Sequence, residues 1–465
     1  MAVGSKESRK EGFWEMTSTA LARATDTARH PGVPRGSVAG IAAVPGTAGD
    51  HPAVHQFLLS VSHEPSGAEF QSQLDEPTYE PRDRLLIKHG DRVAAHLRLI
   101  RREMRFGAAT LPVAYVADVA TLPEYRGRGY ASALLAAAEQ RMRAEGALLG
   151  LLRTSEPDFY RRRGWIVCGR HTYSVAGCHH VLAQLRELEP SSLRRFKAAG
   201  PPALHLRYLR RVELAAVIRM HEWQTRQAYG SFARSEAGWR WLVNRRGYDR
   251  IYVAIEGSPE IELDGTFSAI VGYAAARNER IVELATTPER PDAAARLLAR
   301  FCSDAVERDL REIRVDLPPN HPLHSTLLAS QGVFRQLELD RGRAFMVKVL
   351  DTARLVSALH AELRSRLRFE KPNAQRELGF VIGEQPLALE ITPDASRLTR
   401  RRLGRPHVRC EWPQFWQLLL GHLDVQQAAS QGALFVSNRR GFDLAGALLP
   451  QLPLWYPPLD DLAAT

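Results

Sequence analysis

The stretch VADVATLPEYRGRGYASALLAAAEQRM, from Val116 to Met142, constrains the chain more than any other. An apolar run breaks off before Pro123 and passes through Arg126-Gly127-Arg128-Gly129. It resumes as an apolar-periodic helix bearing a Leu134-Leu135 pair. A strand that yields to a helix within one tight turn leaves the first helical amides without carbonyl partners. Those N–H groups and the positive end of the helix dipole form an anion site. Gly127 and Gly129 remove the Cβ atoms that would hold an anion off, and they permit positive φ. Arg126 and Arg128 add charge, and Ala131 keeps the first helical turn small. This chemistry suits a pyrophosphate. The run R-G-R-G-Y-A lacks the G-x-G-x-x-G spacing of a dinucleotide fold, and no Gly-Lys-Ser/Thr follows as in a Walker loop. A glycine turn of purely structural role is the competing reading of the motif taken alone.

VELATTPERPDAAARLLARF, Val282 to Phe301, repeats the pattern without the glycines. Ala120 to Glu124 align with Ala285 to Glu289, and the distance from proline to the first leucine of the pair shortens from 11 positions to 9. The loss falls in the turn. A duplicated domain explains this, with chance similarity of one short segment as the rival. Strand and helix patterns divide the chain accordingly. Residues 1–36 read as a disordered tail, 37–185 as a mixed α/β domain, and 186–203 as a linker rich in Pro, Arg and small residues. Residues 204–350 repeat the α/β pattern, and 351–465 form an α+β domain. Within the first domain Asp50 and Pro52 open a helix, Gly90-Asp91 makes a hairpin turn, and WIVCGRHTYSV reads as one strand.

A length of 465 residues fits several domains. The net charge of +11 draws anions of some kind, either nucleic acid or a small polyanion, or belongs to an Arg-rich solvated surface. No basic helix with interleaved aromatics supports nucleic acid, and no apolar run is long enough to span a bilayer. The scattered Cys168, Cys178, Cys302 and Cys410 argue against a metal site or a disulfide framework. They fit a reducing compartment, and with no secretory signal the expected location is cytoplasmic.

A second segment, SEPDFYRRRGW, carries Ser155 and Asp158 at capping-box-like spacing, Pro157 in the first turn and Gly164 as a stop. Tyr160 falls one turn in, where a phenol reaches an adjacent cleft. An O–H at that place can stabilise a leaving anion, and an ordinary half-buried aromatic is the alternative. Asp118, on the strand before the glycine turn, either binds or deprotonates an ammonium group or is a hydrogen-bonded strand residue. His171 reads as a surface residue rather than a base.

Together, R-x-x-G-x-A (Arg126, Gly129, Ala131) after a strand ending in Thr121, and F-Y-x-x-x-G-aromatic (Phe159 to Trp165), resemble the GCN5-related N-acetyltransferases. The tandem arrangement resembles the enhanced-intracellular-survival branch of that family. So do FWQLLLGHLDVQQAASQGAL and the proline-rich PLWYPPLDDL, which are similar to a sterol-carrier-protein module. The resemblance spans Ser37 to the C-terminus. It implies two tandem mixed-sheet acetyltransferase domains, the second eroded, plus a sterol-carrier-like α+β domain. It implies acetyl-coenzyme A as cosubstrate and no metal. Its contacts would come from Val119, Ala120 and Thr121, from Arg126, Gly127, Arg128, Gly129, Tyr130 and Ala131, and from Ser155. Tyr160 would be the general acid, Asp118 a candidate base, and the carboxylate of Thr465 a further catalytic group, although 461–465 run past that branch's aromatic ending. The implied reaction is direct attack by a small-molecule or peptide amine in a ternary complex, within a homo-oligomer. A non-catalytic acyl-coenzyme A or lipid-binding regulator is the alternative.

Overall fold

In the computed structural model the described residues are 42–61, 65–188, 203–245, 248–257, 270–367, 376–401 and 406–460. The tail over 1–36, residues 189–202 of the linker, and Thr465 lie outside them.

The first unit begins with helices α1 (His51–Leu59) and α2 (Gly67–Leu74). Pro52 stands in the first turn of α1 as expected, but Asp50 caps no helical amide: its carboxylate accepts from Thr47 N–H at 2.9 Å and pairs with Lys88. Strands β1 (Arg84–His89), β2 (Arg92–Phe106) and β3 (Ala109–Thr121) follow, with the first hairpin turning at Gly90-Asp91. Helix α3 (Tyr130–Ala144), β4 (Leu149–Thr154), α4 (Pro157–Arg161) and β5 (His171–Gly177) complete the run. Alternation sorts the side chains of β1 between two layers. Leu85 and Ile87 join the apolar cluster of Leu134, Leu135 and Met142 on α3, while Leu86 joins Val54, Leu58 and Phe70 of α1 and α2.

In the second unit come α5 (Leu214–Thr225), α6 (Glu236–Asn244), β6 (Arg250–Glu256), β7 (Ile270–Arg277) and β8 (Arg280–Thr286). They are followed by α7 (Asp292–Glu307), β9 (Glu312–Val315), β10 (Val333–Leu337) and β11 (Arg343–Val349). The two units share a topology. β3 is antiparallel to β2 and parallel to β4; β8 is antiparallel to β7 and parallel to β9.

Sheet membership crosses the chain boundary expected between them. WIVCGRHTYSV is two strands in two sheets, not one. Ile166–Val167 pairs with β11 in the first sheet, whereas β5 lies between β9 and β10 in the second. The chain turns at Gly169, whose φ is +125° and where a Cβ would sit 2.6 Å from the Tyr456 ring. In return, β11 leaves the second unit and pairs with β4 over Leu149 to Thr154. Each unit is closed by a strand from the other's segment of chain, so neither sheet is whole without both.

The third unit holds a five-stranded sheet, from Arg376–Ile382, Gln385–Ile391, Ser396–Arg400, His407–Cys410 and Phe435–Val436, with helices beside it. Its core runs without a break into the first unit, since Leu149, Leu151 and Val347 belong to one buried cluster with Leu355, Leu378 and Phe415. Gly107, at the β2–β3 turn, touches this unit: Glu362 accepts from Ala108 N–H at 2.8 Å and from the Tyr229 hydroxyl at 2.7 Å. Among the described residues, no helix is long and apolar enough to cross a membrane.

Candidate active site

β3 and β4 pair only over Val113–Tyr115 and Leu149–Leu151. Beyond that point β4 continues beside β11, β3 continues beside β2, and a gap opens between them. The cause lies in β3. Asp118 takes a left-handed backbone, φ +53°, and between Ala117 and Ala120 the strand carries one residue more than its partner. This is a β-bulge, which bends a strand and re-aims its groups. Leu122 N–H donates to Ala94 O at 3.0 Å, on the β2 side. Antiparallel alternation therefore turns the backbone groups of Ala120 toward β2 and those of Val119 and Thr121 into the gap. The side-chain Oγ1 of Thr121 is buried with no hydrogen-bond partner.

At the mouth of the gap stands the glycine turn. Gly127 and Gly129 have φ of +73° and +84°, as their positions required. Gly129 is the N-cap of α3 and brings no side-chain cap, so the first amides of a 15-residue helix face outward unsatisfied. A Cβ on Gly127 would meet nothing within 4 Å, so the space over the turn is open. Arg126 and Arg128 are exposed; Arg126 Nε donates to Thr121 O at 3.2 Å, and Arg128 lies 5.5 Å from the Tyr125 ring. Ala131 sits in the first helical turn as expected. The Tyr130 side chain does not face the turn. It is buried, stacks with His89 and Tyr125, and bonds His89 Nε2 through its hydroxyl. Only its amide can belong to an anion cradle.

Tyr160 is 7% exposed and shares its apolar cluster with Val119 and Leu152, which flank the gap. Ser155 is exposed and caps nothing; the N-cap of α4 is Glu156, without a side-chain bond. The residue that organises this corner is Thr154, which the sequence reading missed. Its hydroxyl accepts the Glu156 N–H at 2.9 Å and hydrogen-bonds the Tyr160 oxygen. The phenol proton remains to be donated elsewhere. Burial pushes the Tyr160 pKa up to about 12, so the O–H stays protonated. Trp165 fills the space left by Gly150, where a Cβ would come within 2.9 Å of its ring. Arg163 ties α4 to the first turn of α3 through Ser132.

Asp118 is held rather than free. Arg98 Nε donates to its Oδ2 at 3.0 Å, and its carbonyl accepts from His96 Nδ1 at 2.9 Å. A carbonyl cannot donate, so His96 carries its proton on Nδ1 and takes Arg84 Nη1 on Nε2 at 3.1 Å. His96 is fully buried, and burial together with Arg84 brings its pKa down to about 3. It is a neutral strut under the bulge. His171 is likewise buried and bonds Arg343 O at 2.9 Å; the expectation of a surface position was incorrect.

In the second unit the matching gap is closed from within. Thr287 N–H donates to Val271 O, so Leu284 and Thr286 turn their backbone groups away from β7, as Val119 and Thr121 do from β2. The Gln224 side chain of α5 occupies that edge. It donates to Leu284 O and accepts from Thr286 N–H, both at 3.1 Å. Before α7 there is no glycine turn, and Arg290 is already paired with Asp292 and Glu256.

Residues 45–168 match the family model described as an acetyltransferase (GNAT) domain, and the bulged strand, the glycine turn and Tyr160 all fall inside that match. Over these residues the chain is similar to GNAT acetyltransferase domains. Solved structures extend the likeness to nearly the whole chain. A GCN5-related N-acetyltransferase from Anabaena variabilis is 14% identical, covers 90% of this chain and 99% of its own, and superposes with a TM-score of 0.64. One from Kribbella flavida is 18% identical over 90% of this chain and 98% of its own, at 0.63. Eis1 from Mycobacterium abscessus is 16% identical over 88% and 96%, at 0.58. At these identities the likeness establishes the fold. Among curated proteins, no sequence matches the chain.

Proposed function

We propose that the protein transfers an acetyl group from acetyl-coenzyme A to a primary amine, with the first unit carrying the chemistry. The observation that carries this reading is the conjunction of the bulge-opened gap with an uncapped helix N-terminus behind two left-handed glycines. The gap offers the backbone edge of Val119 and the Thr121 N–H to an extended amide-bearing arm, the Thr121 carbonyl already accepting from Arg126 Nε. The turn from Arg126 to Ala131 offers N–H groups and two exposed arginines to a pyrophosphate. The cosubstrate would supply a thioester, an acyl carbon already activated toward amines.

The remaining work falls to side chains of this chain. As the amine nitrogen bonds to the acetyl carbon and the carbon–sulfur bond breaks, negative charge collects on sulfur. The Tyr160 O–H, buried and kept protonated, is a donor for that charge. With a pKa near 12 it serves first as a hydrogen-bond donor and passes its proton only against a gradient. Asp118, paired with Arg98, shapes the bulge; the proton lost by the amine goes to solvent. Ala120 turns its backbone to β2, and Ser155 has no role in this reading. The second unit, its gap filled by Gln224, serves as a wall of the acceptor site. The third unit, likened by its sequence to a sterol carrier, has an interior packed by Phe380, Phe415 and Leu389, and it supports the first sheet. Assembly into a homo-oligomer and a cytoplasmic location belong to the same proposal.

The test is a thiol-release assay with acetyl-coenzyme A across amine classes. Release dependent on an amine, with the acetylated amine found by mass spectrometry, is the expected result. Tight coenzyme A binding without turnover on any amine would favour a binding or regulatory protein instead.

A further inference from the structure

Between α2 of the first unit and α6 of the second lies a cleft of about 590 Å³ whose charged lining is Arg98, Arg240, Arg245 and Arg277 against Glu69 and Asp75. The two carboxylates are engaged locally, Glu69 with the Ser66 N–H at 2.7 Å and Asp75 with Gln71 at 2.8 Å. Arg240 pairs with Glu236, while Arg98 and Arg245 each keep buried N–H groups without an acceptor. Arg98 is fully buried; its Nε holds Asp118, its Nη1 lies 3.8 Å from Glu76, and neither Nη atom has a hydrogen-bond partner. Arg245 stacks on Trp241 at 4.8 Å and donates from Nη2 to Leu459 O at 2.8 Å, but its buried Nε is also unpartnered. Burial pulls its pKa down to about 10, as befits a cation with too little compensation. Behind them Arg84 and Arg102 join Arg98 against Asp118 and Glu76, with His96 neutral.

Buried guanidinium edges without acceptors are costly, and an oxyanion such as a carboxylate or a phosphate relieves them with charge-assisted bonds. The cleft also adjoins the chemistry. Arg98 lines it while holding Asp118, the bulge residue from which the β3–β4 gap opens. Arg277 lines both this cleft and the small cavity containing Arg153 of β4. Resting on the acetyl-transfer reading, we infer that the cleft between α2 and α6 binds an anionic group of the acceptor. The amines acetylated then carry a carboxylate or a phosphate, and polycationic amines are disfavoured.

The experiment uses the full chain with matched acceptors: γ-aminobutyrate against its primary amide, O-phosphoethanolamine against ethanolamine, and spermidine. The anionic member of at least one pair should show a kcat/KM about tenfold to a hundredfold above its neutral partner, the range of hydrogen bonds to charged groups. Which pair shows it distinguishes carboxylate from phosphate. Its KM should rise with added salt. Calorimetric titration of the two anionic amines into the coenzyme A-loaded protein should show binding of at least one, lost in Arg245→Gln, with coenzyme A affinity retained in that variant. Equal or reversed preference, turnover confined to ethanolamine or spermidine, or no calorimetric binding of either anion would overturn the inference. Failure of acetyl transfer itself is a separate outcome: no thiol released with any of the five amines, while the titration still reads the anion site.

Discussion

Replacing Tyr160 by phenylalanine removes one oxygen and keeps a ring that packs at 5.0 Å from Phe159 and 6.1 Å from Trp165. The fold loses the bond from Thr154, which still has the Glu156 N–H, so the cost in stability should be about 1 kcal/mol. Coenzyme A binding should hold, because the turn and the strand edges are untouched. The effect belongs to the transition state, where charge appears on sulfur. A single preorganised donor of this kind supplies about 3 kcal/mol, or roughly a hundredfold in kcat. The pH dependence is specific. With its pKa raised to about 12, Tyr160 stays protonated below that value, and only above it does the donor disappear. The kcat profiles of the protein and of Tyr160→Phe should then run parallel from pH 6 to 10, displaced by about two decades. The assay is initial-rate thiol release, with calorimetry for coenzyme A affinity. Unchanged turnover in the variant would refute the reasoning. So would profiles that converge well below pH 10, since the donor would then be titrating in the ordinary range.

Two further substitutions test how the units are joined. Arg234 is 9% exposed and paired with both Glu283 and Asp460, so Arg234→Met should strand two buried carboxylates and destabilise by about 3–5 kcal/mol in chemical denaturation; a loss under 1 kcal/mol would contradict the Arg234 tie between Glu283 of β8 and Asp460. Gly107 has φ +58° and its Cβ would lie 2.0 Å from Glu362 Oε2, so Gly107→Ala should lower the thermal midpoint by several degrees, and an unchanged midpoint would refute the tight docking of the β2–β3 turn on the third unit.

What the sequence made legible was local. Gly127 and Gly129 announced a left-handed turn because only glycine takes φ near +80° without strain. The missing glycines before α7 announced the difference between the two units. Pro157 and Gly164 bounded α4, though the cap was misplaced: Ser155 has the right chemistry, but Thr154 one residue earlier ends β4 and points back at Tyr160. What stayed hidden depends on partners far away in the chain. Before β5 the chain turns at Gly169 against Tyr456, a neighbour 287 positions away in sequence. Gln224 plugs the second gap from a helix whose pattern shows only an amphipathic face. Asp118 has no sequence mark of a left-handed backbone; the bulge follows from Arg98 and His96 gripping it from β2. Likewise, no motif distinguishes Arg98 and Arg245 from the many arginines of a chain with a net charge of +11.

The central claim is that one glycine turn, and not its eroded copy, binds coenzyme A. Calorimetric titration of coenzyme A into the protein and into Gly129→Asp tests it most directly. A carboxylate at Gly129 places negative charge at the amides of α3, at a position of φ +84°. The account predicts one site per chain in the protein and none in the variant, with the far-ultraviolet circular dichroism of the two superimposable. Two equivalent sites per chain, or near-native affinity in Gly129→Asp, would contradict it.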